Sequence, residues 1–308
     1  SAQYALALSN FQESLNSPQR YNFGFIASTD DHTARPGTGY KQYERRKMTF
    51  ATGVKSKFWE YEYDAEDPSF PEIPKITPGE SQPDSERVSS FVYPGGILAV
   101  HSQGRGKEAI WRALKNKNVY GTSGPRILLW FDLINSPEGK IPMGSEIIMS
   151  QNPRFTIRAA GSFKQKEGCS NESIDSLSSE RLDYLCAGEC YNPSNERNVI
   201  ERIEVVKITP QIYSGESISP LIQDPWLTLP CQETGECAVE FVDQKFSRDS
   251  VYYVRVIQEA TPAINGAPLS HKDGFELCKG SFRTDLQDNC LSMTNERAWS
   301  SPIYINKP

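Results

Sequence analysis

The stretch YNFGFIASTDDH, residues Tyr21–His32, is an apolar run that ends in polar residues, and it suggests a parallel α/β fold. A short apolar run bounded by turn residues is typical of a buried strand, which we predict over residues 21–28. In parallel α/β folds, the functional residues collect at the carboxyl ends of such strands. Asp30 and His32 follow this run and are one residue apart, so in an extended chain their side chains point to the same side. A carboxylate and an imidazole so placed predict a site for zinc, manganese or iron.

The Asp-x-His motif could also be a capped strand end without a metal, and the basic stretch after it also has two interpretations. Asp30 or Asp31 could instead cap the strand end by accepting hydrogen bonds from backbone amides. A basic stretch, KQYERRK at residues 41–47, comes shortly afterwards. It is either a solvated helix face or a clamp for an anion, since an arginine can bind a phosphate or carboxylate through two N–H groups.

Farther along the chain, the hydrophobic pattern changes once. Residues 95–100, GGILAV, predict a second buried strand that ends at His101. A helix over 107–117 and a third, strongly apolar strand over 127–133 follow, so these strands should be parallel with a right-handed crossover. After Met143, apolar and polar residues alternate in short runs, which predicts an antiparallel sandwich. We therefore expect a boundary near residue 145 and a second part, 146–308, that folds alone.

The sequence argues against a nucleic-acid-binding protein and against a protein with a transmembrane helix. The 308 residues have a formal net charge of −6 and no basic cluster that would favour nucleic acid. The sequence also has no run of 18 apolar residues, so we expect no transmembrane helix.

The cysteines predict export to a periplasmic or extracellular location. All seven lie between Cys169 and Cys290 in loop-rich sequence, a pattern typical of local disulfides in an oxidising compartment. Cys231 with Cys237 and Cys278 with Cys290 are plausible pairs, and Cys169 could join Cys186 or Cys190. A zinc site is the rival interpretation, because the spacing of Cys186 and Cys190 is tolerable for metal ligands.

Six stretches together resemble a known family. They are FGFIASTDDH (23–32), ARPGTGYK (34–41), EAIWRAL (108–114), VYGTSGPRI (119–127), YYVRV (252–256) and AWSSPI (298–303). They are similar to the carboxyl-terminal half of a large bacterial family of unknown function that is related to the PHP (polymerase and histidinol phosphatase) metallohydrolases.

The resemblance implies a fold and a metal site. PHP proteins are distorted (β/α) barrels that bind several metal ions through His, Asp and Glu and hydrolyse phosphate esters. Their last metal motif, Asp-x-His at a strand end, falls here on Asp30 and His32. Residues 1–145 would then be the C-terminal portion of a PHP-like barrel. Residues 146–308 would be an antiparallel β-sandwich with disulfide-stapled loops.

The sequence also departs from the family pattern. It has only three histidines, His32, His101 and His271, and it lacks the earlier His-x-His motif of PHP proteins. Either the N-terminal half of the barrel belongs to the same precursor or to a separate chain, or this is a degenerate relative without activity. The chain begins inside a predicted helix just before a late barrel strand, which favours a fragment of a longer protein.

Two functions follow as hypotheses. The first is a metal-dependent hydrolase of the phosphoesterase type, in which Arg35 and Arg46 hold an anionic small-molecule substrate. His101 would be a general acid, a further metal ligand or a hydrogen-bonded structural residue. The alternative is a non-catalytic extracellular structural or binding protein, with Trp226, Tyr213 and Tyr191 as candidate contacts for glycans or protein partners.

Overall fold

The structure is a computed structural model that describes residues 1–12, 18–28, 96–186, 190–232, 234–264 and 291–308. The strands in these ranges are β1 (Ser9–Asn10), β2 (Gln19–Arg20), β3 (Ile97–Val100), β4 (Val119–Thr122), β5 (Leu128–Ser136), β6 (Gly139–Pro142), β7 (Glu146–Ile148), β8 (Arg154–Ala160), β9 (Phe163–Gln165), β10 (Pro193–Arg197), β11 (Ile200–Ile208), β12 (Ile222–Pro230), β13 (Glu236–Val242), β14 (Ser250–Ile264), β15 (Leu291–Ser300) and β16 (Ile303–Asn306). The helices are α1 (Ala2–Ala7), α2 (Lys107–Lys115), α3 (Asn171–Ser176) and α4 (Ser179–Cys186), and a single 3-10 turn spans Ser219–Leu221.

Two sheets form the body of the described structure. The larger has the order β12-β11-β14-β15-β4-β3, with β16 pairing with both β14 and β7. The smaller has the order β13-β8-β5-β6. All described strand pairs are antiparallel except β7 with β16. Two short pairs, β1-β2 and β9-β10, lie outside these sheets.

The inner faces of the two sheets meet in an aromatic core. Phe155 on β8 stacks on Phe131 and Phe241 of its own sheet, with ring centroids 5.4 and 4.7 Å away. Its ring also lies 4.8 Å from that of Tyr252 on β14 of the larger sheet. The strand β8 alternates between such buried residues and exposed arginines, so each sheet turns one face inward. Each large side chain buried in this way stabilises the fold by about 1.5–3 kcal/mol.

The predicted (β/α) barrel is wrong. The first two strands after residue 95, β3 and β4, pair antiparallel, and α2 lies in the connection between them. The third predicted strand, β5, pairs antiparallel with β6 and β8, and the described residues contain no closed barrel. Strands from both sides of residue 145 pair in the same sheets, as β5 does with β8 and β4 does with β15.

The apolar composition of β5 explains the error. Leu129, Phe131 and Leu133 alternate inward and are fully buried, as expected of a sandwich strand. The outward positions are also covered, because Trp130 lies under the Arg158 guanidinium, 4.9 Å from the ring centroid. A sandwich strand with large residues on both faces has the same composition as a buried parallel strand.

The outer face of the larger sheet is covered by the N-terminal part of the chain. Leu6 and Ala7 of α1 are buried against this face, in a second core cluster that includes Tyr253 and Tyr304. Phe23 and Phe25 pack against the same cluster. None of the helices in the described ranges has the length and apolar character needed to span a membrane.

Candidate functional site

Four of the predicted site residues lie outside the described residues. They are the two predicted metal ligands, Asp30 and His32, and the two predicted anion-binding residues, Arg35 and Arg46. The structure does describe the segment that leads into them. Residues 21–28, predicted to be a buried strand, have no regular secondary structure and cross the outer face of the larger sheet.

Hydrogen bonds from two C-terminal side chains fix this segment. The Tyr304 hydroxyl accepts a hydrogen bond from the Phe23 amide at 2.9 Å and donates one to the Phe23 carbonyl at 2.7 Å. The Phe25 amide donates to Ser301 Oγ at 3.0 Å. Burial raises the pKa of Tyr304, so its hydroxyl keeps the proton that it donates. The Phe25 ring meets that of Tyr253 edge-on, with centroids 5.0 Å apart.

Two glycines allow the segment to lie directly on the sheet. A Cβ atom on Gly121 of β4 would lie 2.9 Å from the Cβ of Ala27 and 3.1 Å from its amide nitrogen. A Cβ on Gly96, the residue before β3, would lie 2.8 Å from the Ala27 Cβ and 2.2 Å from the Thr122 carbonyl oxygen. Ala27 and Gly96, which lie close to the two ends of the undescribed range 29–95, therefore meet over β4.

His101 follows β3, as predicted, but its ring is engaged. Its Nε2 lies 2.8 Å from the carbonyl oxygen of Leu129. A carbonyl oxygen only accepts, so Nε2 carries the proton and donates. The ring also packs near Tyr120 and Trp130, at centroid distances of 5.4 and 5.9 Å. These contacts favour the structural role among those that the sequence left open.

The described cysteines form two disulfides. Cys231 pairs with Cys237, as predicted, and Cys169 pairs with Cys190. Cys186, the last residue of α4, carries a free thiol. Its Sγ atom and those of Cys169 and Cys190 all lie within 4.8 Å of one another. The predicted pair Cys278 and Cys290 lies outside the described residues.

The comparison with protein families matches residues 8–166 to a family described as "Protein of unknown function (DUF3604)". This range covers more than half of the 308 residues. The chain belongs to the DUF3604 family. No curated protein matches the chain. The predicted membership of a family of unknown function is thus confirmed, and the relation of DUF3604 to the PHP metallohydrolases stays a prediction.

The DUF3604 match ends at residue 166, between the predicted site residues and the three neighbouring cysteines. It includes all five predicted site residues, together with β3 to β9. It ends before Cys169, so the three neighbouring cysteines belong to the part of the chain that the family model does not cover. The predicted metal motif and the cysteine group therefore lie in different parts of this DUF3604 chain, relative to the residues that the family model matches.

A buried ion pair in the DUF3604 chain was not predicted from the sequence. Lys207 and Asp243 are both buried, and their side chains are hydrogen-bonded. Tyr252 also donates to Asp243 Oδ2 at 2.6 Å, and the Lys245 amide donates to Oδ1 at 2.9 Å. Burial alone would raise the pKa of Asp243, but these hydrogen bonds outweigh it and hold the pKa below its usual range. Both charges of the pair have hydrogen-bond partners inside the sandwich, so we interpret the pair as structural.

Proposed function

We propose that this chain is part of a metal-dependent hydrolase of the phosphoesterase type, with Asp30 and His32 as metal ligands. The observation that supports the proposal is that the segment just before Asp30 is held in place on the larger sheet. The Phe23–Ala27 segment is hydrogen-bonded to Ser301 and Tyr304 and lies directly against β4. A metal ligand works best when rigid elements hold it, and this segment ends three residues before Asp30.

The residue types fit the proposed metal. A carboxylate and a neutral imidazole are ligands for zinc, manganese or iron. A metal held there would lower the pKa of a bound water and offset charge on phosphoryl oxygens. Arg35 and Arg46 would bind the anionic substrate through paired N–H groups. Two ligands are too few for a complete site, so we propose that polypeptide outside these residues, in the same precursor or a separate chain, supplies the others.

His101 is not part of the proposed metal site. Its Nε2–H donates a hydrogen bond to the Leu129 carbonyl, and its ring packs near Tyr120 and Trp130. We therefore assign it to the joint between β3 and β5, where it links the edge of the larger sheet to the smaller one.

The test combines metal content with hydrolysis in the intact natural protein. Metals are measured by mass spectrometry after dialysis, and hydrolysis with p-nitrophenyl phosphate and its diester. We expect Asp30→Asn and His32→Gln to lower bound metal and hydrolysis together, each by at least about tenfold. Asp31→Asn is the matched control, because it removes the same charge one residue away and should leave both unchanged. Asp30→Asn protein with the metal content of the natural protein would overturn the ligand assignment.

A second candidate is a non-catalytic extracellular binding protein. Its supporting observation is a sandwich whose connecting segments carry two disulfides, with exposed aromatic side chains such as Tyr213, which is 59% exposed. Trp226 is less suitable than its sequence suggested, because its ring packs 6.0 Å from those of Phe241 and Tyr252. Intact protein that binds no metal at stoichiometric level, yet loses binding to immobilised glycans or partner proteins on Tyr213→Ala, would favour this function over the hydrolase. Either function is compatible with export, which we retain as a proposal.

A further inference from the structure

We propose that Cys169, Cys186 and Cys190 form a thiol–disulfide exchange centre, in which Cys186 attacks the disulfide beside it. Three sulfur atoms lie within 4.8 Å of one another, and only two of them are bonded to each other. The third belongs to Cys186 and carries a free thiol. Exchange requires access of a thiolate to a disulfide sulfur, and this arrangement provides it within one chain.

The local fold brings the three residues together at the base of a helical excursion. The strands β9 and β10 pair antiparallel, with Gln165 opposite Pro193. The chain between them leaves after Cys169, forms α3 and α4, and returns to Cys190, whose Cα lies 4.6 Å from that of Cys169. Because α4 ends at Cys186, the last helical turn carries the free thiol back to the base.

The two helices of this excursion lie at the surface of the described structure. Neither α3 nor α4 has a buried residue, whereas Cys190 is only 5% exposed. Hydrogen bonds between the two arms, from the Lys166 amide to the Asn192 carbonyl and from the Asn192 amide to Gln165 Oε1, lie on the strand side of the disulfide. The Cys169–Cys190 bond is thus the covalent closure of a helix pair that packs little against the core.

The exchange step is balanced without any oxidant. The Cys186 thiol loses its proton, and the thiolate forms a new S–S bond to Cys169 or Cys190 while the old bond breaks. The sulfur that leaves becomes a thiolate and takes up a proton. Attack on Cys169 frees Cys190 and keeps the excursion closed in a shorter loop. Attack on Cys190 frees Cys169 and leaves a bond between Cys186 and Cys190 alone, so the excursion opens at its base.

A disulfide map of the unreduced 308-residue protein tests the proposal. Free thiols are alkylated either at once at about pH 5, where thiolates are scarce, or after several hours at about pH 8. We expect the early sample to contain Cys169–Cys190 with Cys186 alkylated. In the late sample, alkylation should move in part to Cys169 or Cys190, with a matching new disulfide to Cys186. The result should not depend on protein concentration, because the exchange is intramolecular.

Two interventions keep the test decisive. Cys186→Ser should abolish the redistribution, and so should alkylation of native Cys186 before the incubation, which does not require a variant to fold. The Cys231–Cys237 disulfide should persist in every sample and serves as the internal control. An unchanged map at pH 8, or a redistribution that survives the loss of Cys186, would overturn the proposal. Three free thiols holding stoichiometric zinc would also overturn it, in favour of a metal site.

Discussion

Replacing Asp243 by Asn tests whether the buried ion pair supports the sandwich. Lys207 is 7% exposed and Asp243 is 1% exposed, so neither charge has ready access to water. The Lys207 ammonium lies over the rings of Trp226 and Tyr252, 5.1 and 5.8 Å from their centroids. In Asp243→Asn, the amide oxygen can still accept a hydrogen bond, but no negative charge offsets the ammonium. The variant therefore leaves a buried, uncompensated charge.

The expected loss of stability is large for one substitution. Removing one partner of a buried ion pair costs about 3–5 kcal/mol. That is a large part of the about 5–15 kcal/mol by which native proteins exceed their unfolded states. For a chain with a core of this size, the melting temperature should fall by about 6–20 °C. Asp132→Asn is the matched control. Asp132 pairs with Lys140 at 2.8 Å, but the Lys140 side chain is 54% exposed, so its loss should cost about 1 kcal/mol or less.

Urea unfolding at neutral pH, followed by tryptophan fluorescence and circular dichroism, measures both variants. Trp226 reports on the pair directly because it lies beside Lys207. An Asp243→Asn midpoint no lower than that of Asp132→Asn would contradict this prediction, since burial of the partner charge is the main difference between the two variants.

The same pair makes a prediction about pH, with a definite sign. The pKa of Asp243 is lower in the folded protein than usual, because its hydrogen bonds outweigh the effect of burial. Such a carboxyl stabilises the fold fully above its unfolded pKa, and this contribution is lost as the pH falls through the folded pKa. The stability difference between the natural protein and Asp243→Asn should therefore be full above about pH 4 and shrink below it. A difference that grows on acidification would contradict the assignment.

Three further predictions follow from the structure. Gly121→Ala should displace the segment on β4 and speed cleavage by chymotrypsin before residue 28, whereas Gly104→Ala, which has open space around it, should not. Removing the Cys231–Cys237 disulfide with a double alanine variant should cost about 2 kcal/mol in urea unfolding, from the short loop that it closes. Residues 146–308 expressed alone should give no cooperative melt, contrary to the expectation from the sequence, because the smaller sheet loses its central strand β5. A sharp melt of that fragment would contradict this prediction and support a domain boundary near residue 145.

The sequence located strands better than it predicted their pairing. The alternation in 155–159 lies within β8, and the apolar run 127–133, except for its first residue, lies within β5, Leu128–Ser136. Pairing depends on contacts between distant residues, such as Arg255 of β14 opposite Trp299 of β15, which local patterns do not encode. The strand-helix-strand order suggested a parallel crossover. The structure instead accommodates α2 within an antiparallel connection between β3 and β4.

The disulfides show a similar limit at shorter range. Cys231 and Cys237 are six residues apart, and few alternatives compete at that separation, so their pairing was predicted correctly. Cys169 had two candidate partners, and the structure explains why the spacing could not choose between them. All three sulfur atoms lie within 4.8 Å of one another, so the pairing depends on small differences in geometry that sequence spacing does not reveal.

The candidate metal site depends on residues that no local motif would have identified. Ser301 and Tyr304 bond to a segment 276 and 281 residues away along the chain, and the sequence gives them no recognisable signature. Their hydroxyls are hydrogen-bonded to backbone groups of Phe23 and Phe25, and so they fix where the segment crosses the sheet. Glycine at 121 and 96 then allows the chain on either side of residues 29–95 to meet over β4. The sandwich thus holds Ala27 and Gly96, the described residues near the two ends of the range 29–95, together against β4.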